Sequence, residues 1–206
     1  GAVLDRLAAS GVGTVRALRG EPRSGDTEGT PHPGGLHYST ELASLITEHR
    51  PEISVGAACF PEVHPEAVDL AHDLHFLKAK VQAGASFLIT QVFFDNDLYF
   101  RYLDRVRQRG IDIPIVPGIM PMHNFKQARG FVTRAGTTVP SWLADKFEGL
   151  DDDAETRKLV AATVAAGQVQ KLAKHGVHTF HFYTMNRADL VFGISHLLAI
   201  RPPGGP

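Results

Sequence analysis

The chain has 206 residues, 43% hydrophobic and 21% charged, with 21 Lys+Arg against 22 Asp+Glu for a formal net charge of −1. These values fit a globular chain long enough to bury a core in one or two domains, and they exclude a disordered, collagen-like or coiled-coil polymer. Near-zero net charge argues against a general nucleic-acid or membrane-surface binder, and the single cysteine, Cys59, excludes a disulfide framework or a Cys-rich metal site.

Ala2 to Ala9 reads as the back half of a helix, with Gly11 as its stop. Residue 1 is Gly, and no Ser, Thr, Asp or Asn precedes the helix as a cap, so the chain is expected to begin inside an element with material upstream. Without a signal-like start or an apolar run of about 18–20 residues, the expectation is a cytoplasmic chain with no membrane span. The 11 histidines include no His-Glu-x-x-His pair, and no zinc site is expected.

Val12 to Leu18 reads as a first strand, followed by a Gly/Pro-rich loop from Glu21 to His37. Ser39 or Thr40 is placed to cap a helix carrying Leu42, Leu45 and Ile46, which Pro51 ends. Ile53 to Phe60 is the second strand. Pro65 is expected at the first position of the next helix, with Glu66 in its first turn. That helix carries the stripe Ala67, Leu70, Ala71, Leu74, Leu77 and Val81 and closes at Gly84. Phe87 to Phe94 is the third strand. Leu98, Tyr102, Leu103 and Val106 mark a helix stopped by Gly110, and Ile113 to Ile119 is the fourth strand.

Helical patterns then cover Phe125 to Arg134 and Asp152 to Lys174, the second with Asp151, Asp152, Asp153 and Glu155 at its N-terminus as caps and dipole complements. Phe180 to Met185 is the fifth strand, Ala188 to Leu198 the last helix, and Arg201 to Pro206 a Pro/Gly tail. Such alternation means an α/β fold with a parallel sheet covered by helices. A doubly wound open sheet and a (β/α)8 barrel both fit. No G-x-G-x-x-G follows any strand. Polar residues gather at strand C-terminal ends, the mouth of a barrel: Arg19 and Glu21, Glu62 and His64, Gln91, His123 and Asn124, Tyr183 and Arg187. The barrel is therefore preferred, with five of its eight strands present. Three further βα units of roughly 30 residues each would supply the rest.

Several stretches carry chemistry. Arg19 beside Gly20 can hold a phosphate or carboxylate with its planar fork. Phe60-Pro61-Glu62-Val63-His64-Pro65-Glu66 is a proline-stiffened loop presenting an aromatic, two carboxylates and an imidazole ahead of a helix. Gln91 interrupts an apolar strand, and its amide both donates and accepts, as a heterocyclic ring requires. Phe131 is core or a stacking face. Tyr183 and Arg187 together suit an anionic, aromatic ligand. Lys78 or Lys80 as a Schiff-base lysine ranks low, because both lie on a helix rather than at a strand end.

These segments resemble the methylenetetrahydrofolate reductase family of flavin-dependent enzymes. The matching residues are Ala17-Leu18-Arg19-Gly20, Pro61 to Ala67, Asp73-Leu74, Leu77-Lys78, Lys80 and Ile89-Thr90-Gln91. They continue with Val116 to Ile119, Asn124 to Gln127, Gly149 to Arg157, His181 to Thr184 and Asn186-Arg187. The resemblance covers essentially the whole chain. It implies a (β/α)8 TIM barrel of which strands four to eight are present, with residues 1–200 as the C-terminal part of one flavin-binding domain.

The resemblance further implies that Arg19, Gly20, Glu21, Tyr38, Ser39, Phe60, His64, Ala67, Asp73 and Lys80 line FAD. It implies that Gln91, Gln127, Phe131, Tyr183 and Arg187 meet folate or the nicotinamide, which use one pocket in turn. The implied reaction is ping-pong. NADH or NADPH gives a hydride to flavin N5, and the reduced flavin then converts 5,10-methylenetetrahydrofolate to 5-methyltetrahydrofolate. The full-length family protein is expected to be a homo-oligomer.

Three departures stand out. The family's general acid, a Glu on the first barrel strand, is not in this sequence. Glu21 stands where the family has Asp near the flavin and pterin, and an added methylene there is enough to cost rate. Phe76 and Ala79 stand where the family pattern has polar residues that contact the nucleotide. The alternative function is a non-catalytic remnant that binds flavin or folate.

Overall fold

The computed structural model of the chain describes residues 1–20 and 35–200. Its elements run α1 (Ala2–Ala9), β1 (Thr14–Ala17), α2 (Ser39–His49), β2 (Ser54–Cys59), α3 (Leu70–Gln82), β3 (Ala85–Val92), α4 (Asn96–Gln108), β4 (Ile115–Ile119), α5 (Phe125–Arg134), α6 (Ser141–Asp145), α7 (Ala154–Lys174), β5 (His181–Phe182) and α8 (Ala188–Leu197). The strand order is β1-β2-β3-β4-β5, the order of the chain. A doubly wound sheet would reverse that order at a switch point. The sequential order therefore selects the barrel-type winding, and the chain is an α/β fold with part of such a sheet.

The chain divides into two compact units. The first comprises the described parts of Gly1–Phe60, Ala67–Ile89 and Arg105–Ile115. In it β1 pairs parallel with β2, from Thr14 opposite Ser54 to Ala17 opposite Ala57. Leu4, Ala17, Ala43, Ile46, Ile53 and Val55 form its core, with Ala8, Val15, Leu42 and Ala83 packed around them. Asp5 of α1 is held by Arg50 at 2.8 Å and His49 at 3.0 Å, which fastens α1 to the end of α2.

The second unit comprises Pro61–Glu66, Thr90–Asp104 and the described residues from Val116 on. β4 pairs parallel with β5, Gly118 opposite His181 and Ile119 opposite Phe182. Val92, Phe94, Met120, Met122, Val132, Leu143, Phe147 and Ala161 make its core. Phe125 stacks on Phe147 at 5.0 Å between ring centres. The long α7 buries a stripe of Ala161, Ala165, Ala166, Val169 and Leu172, the spacing of one helical face. Gln168 of α7 donates to the Phe93 carbonyl at 2.8 Å, and Asn96 donates to the Gln168 carbonyl at 3.2 Å.

The structure corrects four local expectations. The third helix begins after Asp69, whose side chain accepts the His72 N–H at 2.8 Å. Pro65 and Glu66 therefore lie in a loop, because an Asp N-cap satisfies a helical donor that Pro65 cannot. Ser39 is the first helical residue rather than the cap of α2. Tyr38 is the N-cap, and Glu41 in the first turn reaches back to accept the His37 and Tyr38 N–H groups at 2.7 and 3.3 Å. The fifth strand shrinks to His181–Phe182, since Met185 and Asn186 turn into left-handed backbone at φ 49° and 59°. The short α6 had no expected counterpart. No helix among the described residues is long and apolar enough to cross a membrane.

Candidate functional site

In the first unit, the expected flavin residues follow strand C-terminal ends or stand on the helices behind them. Arg19 and the exposed Gly20 come just after β1, and Phe60 just after β2. Tyr38 and Ser39 open α2, while Asp73 and Lys80 stand two turns apart on α3, and so on one face. Ala67 is half-buried in the loop before α3. Lys80 is the most constrained of these groups. Its ammonium donates to the Ala58 carbonyl at 2.9 Å and lies 5.8 Å from the centre of the Phe60 ring. Desolvation pulls its pKa below the usual lysine range, and the buried Asp73 carboxylate partly opposes that. Glu21, and the loop that carries it, lie outside the described residues.

In the second unit, Gln91 is the penultimate residue of β3, and its Oε1 accepts the Val92 N–H at 2.9 Å. Tyr183 follows β5 directly. Its hydroxyl donates to the Thr90 carbonyl at 3.0 Å, and its backbone N–H donates to the Ile119 carbonyl at 2.8 Å. The buried Thr90 hydroxyl in turn accepts the Gly118 N–H at 2.8 Å. Gly118 is where this arrangement is tightest. A Cβ there would stand 2.5 Å from both the Thr90 carbonyl oxygen and the Tyr183 ring. Gln127 is exposed in the first turn of α5, where Asn124 donates to its Oε1 at 3.1 Å. Phe131 stands one turn further along and is 37% exposed.

Arg187 caps the start of α8, and its fork grips Asp189 through Nε at 3.0 Å and Nη2 at 2.7 Å. That grip holds the Asp189 carboxyl down to about 2. A depressed carboxyl contributes stability that is present above its ordinary value of 3.8 and is lost as pH falls toward 2. An NMR titration of the Asp189 side-chain carbon is expected to show a midpoint near 2, returning toward 3.8 in Arg187→Met. A parent midpoint near the ordinary value would mean that the fork is not closed in solution. Burial, and after it the Arg187 guanidinium, push the His123 imidazole down, so the ring is neutral near pH 7.

His64 and Glu62 part company. The Nδ1 of His64 accepts the Glu66 N–H at 3.0 Å. Glu62 points both carboxylate oxygens at the Thr138 N–H, each at 3.1 Å. Sequence reasoning placed Glu62 at the site but missed Thr90, Thr138 and Asp189, the partners that hold the candidate residues. A threonine inside an apolar strand was a visible signal for Thr90, because a buried hydroxyl must find a partner. Among the described residues no group of three or more His, Cys, Asp or Glu side chains is arranged to hold a metal ion.

Comparison with known proteins adds three findings. The family model for methylenetetrahydrofolate reductase matches residues 1–199. The chain is 46% identical over 195 residues to the 5,10-methylenetetrahydrofolate reductase of Escherichia coli (strain K12), covering 94% of this chain and 63% of that protein. It is 33% identical over 204 residues to methylenetetrahydrofolate reductase (NADH) 1 of Arabidopsis thaliana, covering 93% of this chain and 34% of that protein. The chain thus spans less than two thirds of the length of these relatives. Among solved structures, an uncharacterized protein from Clostridium thermocellum that binds two copies of 5-methyl-5,6,7,8-tetrahydrofolic acid is similar with a TM-score of 0.56. At 13% identity over 89% of this chain and 70% of that one, the likeness is one of fold.

Proposed function

The chain belongs to the methylenetetrahydrofolate reductase family, and from that membership we propose that it carries most of the cofactor and substrate wall of a reductase of 5,10-methylenetetrahydrofolate, with FAD as cofactor and NADH or NADPH as donor. The observation that supports this most is positional. Arg19, Phe60, Gln91 and Tyr183 each stand at or just after the carboxyl end of a different strand, the place where barrels of this winding build their sites. The chain would form the C-terminal part of one flavin-binding barrel domain, and its strands would be the fourth to eighth.

The residues of the first unit suit a flavin dinucleotide. Lys80 uses one of three N–H donors on Ala58, and the others suit a phosphate oxygen. Arg19 adds a bidentate fork. The same unit supplies an aromatic ring at Phe60. Bound there, the flavin supplies the hydride relay between nicotinamide and folate.

The second unit's residues suit a flat, hydrogen-bonding ring with an anionic tail. Gln91 spends its carbonyl on Val92 and can turn its amide N–H groups to a ring acceptor. Gln127 offers the same chemistry, and Phe131 a face to stack on. Arg187 keeps N–H donors beyond the two that Asp189 takes, enough to receive a carboxylate. None of these groups moves a proton in the reaction. They orient the reactants, and that contribution to rate is large when the reacting atoms are held in line.

The test is direct. Titration with FAD is expected to give saturable quenching of flavin fluorescence, and 5-methyltetrahydrofolate is then expected to shift the flavin absorbance band. Absence of both responses would overturn the reading. Binding of both ligands without reduction of the flavin by NADH or NADPH would favour the non-catalytic remnant.

A further inference from the structure

We infer that Thr90 is a positioning residue: by accepting the Gly118 N–H, its hydroxyl reserves the Thr90 backbone carbonyl for the Tyr183 hydroxyl and so fixes that ring across the strand ends. The inference rests on the folate reading above and deepens it. Thr90, Gly118 and Tyr183 all lie in the second unit.

The Tyr183 side chain is a strap. The residue follows β5, yet its hydroxyl donates to the Thr90 carbonyl of β3 at 3.0 Å. The strand between them is β4. The ring crosses it at Gly118, where the lack of a Cβ makes room, since an added one would stand 2.5 Å from Tyr183 Cε2. The near end of the strap is the Tyr183 N–H, which donates to the Ile119 carbonyl at 2.8 Å.

The acceptor at the far end has a rival donor. Further back along β3, the Leu88 N–H donates to the Pro114 carbonyl at 2.8 Å. Rungs between parallel strands recur every second residue, so this register carries the Gly118 N–H toward the Thr90 carbonyl. Gly118 and the Tyr183 ring also crowd one side of that oxygen, because a single added carbon would stand 2.5 Å from both oxygen and ring. The fully buried Thr90 hydroxyl resolves the competition by accepting the Gly118 N–H at 2.8 Å. The end of β3 repeats the arrangement. Gln91 Oε1 accepts the Val92 N–H at 2.9 Å, and the buried Thr137 hydroxyl donates to the Val92 carbonyl at 2.7 Å. Side chains take up backbone pairing at the strand end where Gln91 and Tyr183 stand.

Five forms of the full chain test the inference: parent, Thr90→Val, Thr90→Ser, Tyr183→Phe and the double variant Thr90→Val/Tyr183→Phe. The 13Cζ NMR signal of Tyr183, assigned by its loss in Tyr183→Phe, reports on the hydroxyl bond. Calorimetric titration with 5-methyltetrahydrofolate in the presence of FAD reports on the ligand. In Thr90→Val the signal is expected to move toward that of a water-exposed tyrosine. The dissociation constant is expected to rise roughly threefold to tenfold, the loss of one hydrogen bond. Thr90→Ser is expected to keep both at the parent values. In the double variant the valine is expected to add nothing to the effect of Tyr183→Phe on binding, because no hydroxyl is left to place. Additive losses, or a serine form that behaves like the valine form, would overturn the inference. So would a Thr90→Val whose thermal midpoint falls while the Tyr183 signal stays where it was. Should the valine form fail to fold, Thr90→Cys puts a weaker acceptor in the same place. It is expected to move the signal part of the way, and an unmoved signal there would equally overturn the inference. If the parent binds no 5-methyltetrahydrofolate, the folate reading fails by itself. The Tyr183 signal then still decides whether the Thr90 hydroxyl sets the ring.

Discussion

Gly118→Ala is expected to destabilise the protein by about 3 kcal/mol, the upper range for forcing an extra methyl into a packed interior, and to displace the Tyr183 ring. The added carbon would stand 2.5 Å from the Thr90 carbonyl oxygen and 2.5 Å from Tyr183 Cε2. The first neighbour is backbone of the adjoining strand and cannot swing aside. The second is a ring whose hydroxyl is already tied to that same Thr90 carbonyl. Relief therefore requires breaking the Tyr183 hydrogen bond or opening the ladder that pairs Gly118 with His181. Glycines elsewhere supply the control. Gly167 in α7 and Gly193 in α8 have nothing within 4 Å of an added Cβ. Alanine at either should gain about 0.5–1 kcal/mol through helix propensity. Chemical denaturation of the three variants decides the matter. Equal stability of Gly118→Ala and the parent would show that the strand end is looser than this packing requires. If Tyr183 serves as a wall of the folate pocket, Gly118→Ala should also weaken folate binding more than Tyr183→Phe, which removes only the hydroxyl.

How much of this was readable beforehand depended on the range of the forces. A helix near Phe125 to Arg134 was legible, because its signals are local: Asn124 caps it by accepting the Gln127 N–H, and the chain turns at Gly136 just beyond. The acidic run before α7 read correctly too, since Asp153 accepts both the N–H and the hydroxyl of Thr156 three residues on. Pro65 misled because proline followed by an acidic residue is one local start signal and Asp69 four residues on is another, and the helix begins at the second, where the Asp69 carboxylate accepts the His72 N–H. The short α6 escaped because five residues give too little periodicity to read. Strand-end positions were legible: Gln91 is the penultimate residue of β3, Tyr183 follows β5 and Arg187 precedes α8. The bonds that hold the last two were not. Tyr183 depends on a backbone carbonyl of another strand, and the Arg187 fork turns to Asp189 only because α8 starts there.

The second large effect is expected at Asp73. Asp73→Asn keeps the size of the side chain and removes its charge, leaving the Lys80 ammonium desolvated without the carboxylate that opposes the loss of its proton. The cost near pH 7 should be about 1–3 kcal/mol, the range for taking a partner away from a buried polar group. The pH dependence identifies the cause. Lys80 in the folded chain sits below its ordinary value of 10.5 chiefly through desolvation, with Asp73 and Cys59 raising it and Arg16 lowering it further. Between the folded and unfolded values the unfolded chain holds more protons, so stability rises with pH across that window. In Asp73→Asn the folded value drops further, the window opens at lower pH, and the recovery starts earlier. The gap between variant and parent should therefore narrow as pH climbs from 7 toward the ordinary lysine value of 10.5 and Lys80 loses its charge in both. Urea unfolding at several pH values measures this. A gap that stays constant would assign the loss to Asp73's hydrogen bonding rather than to its charge, and would take Lys80 out of the account.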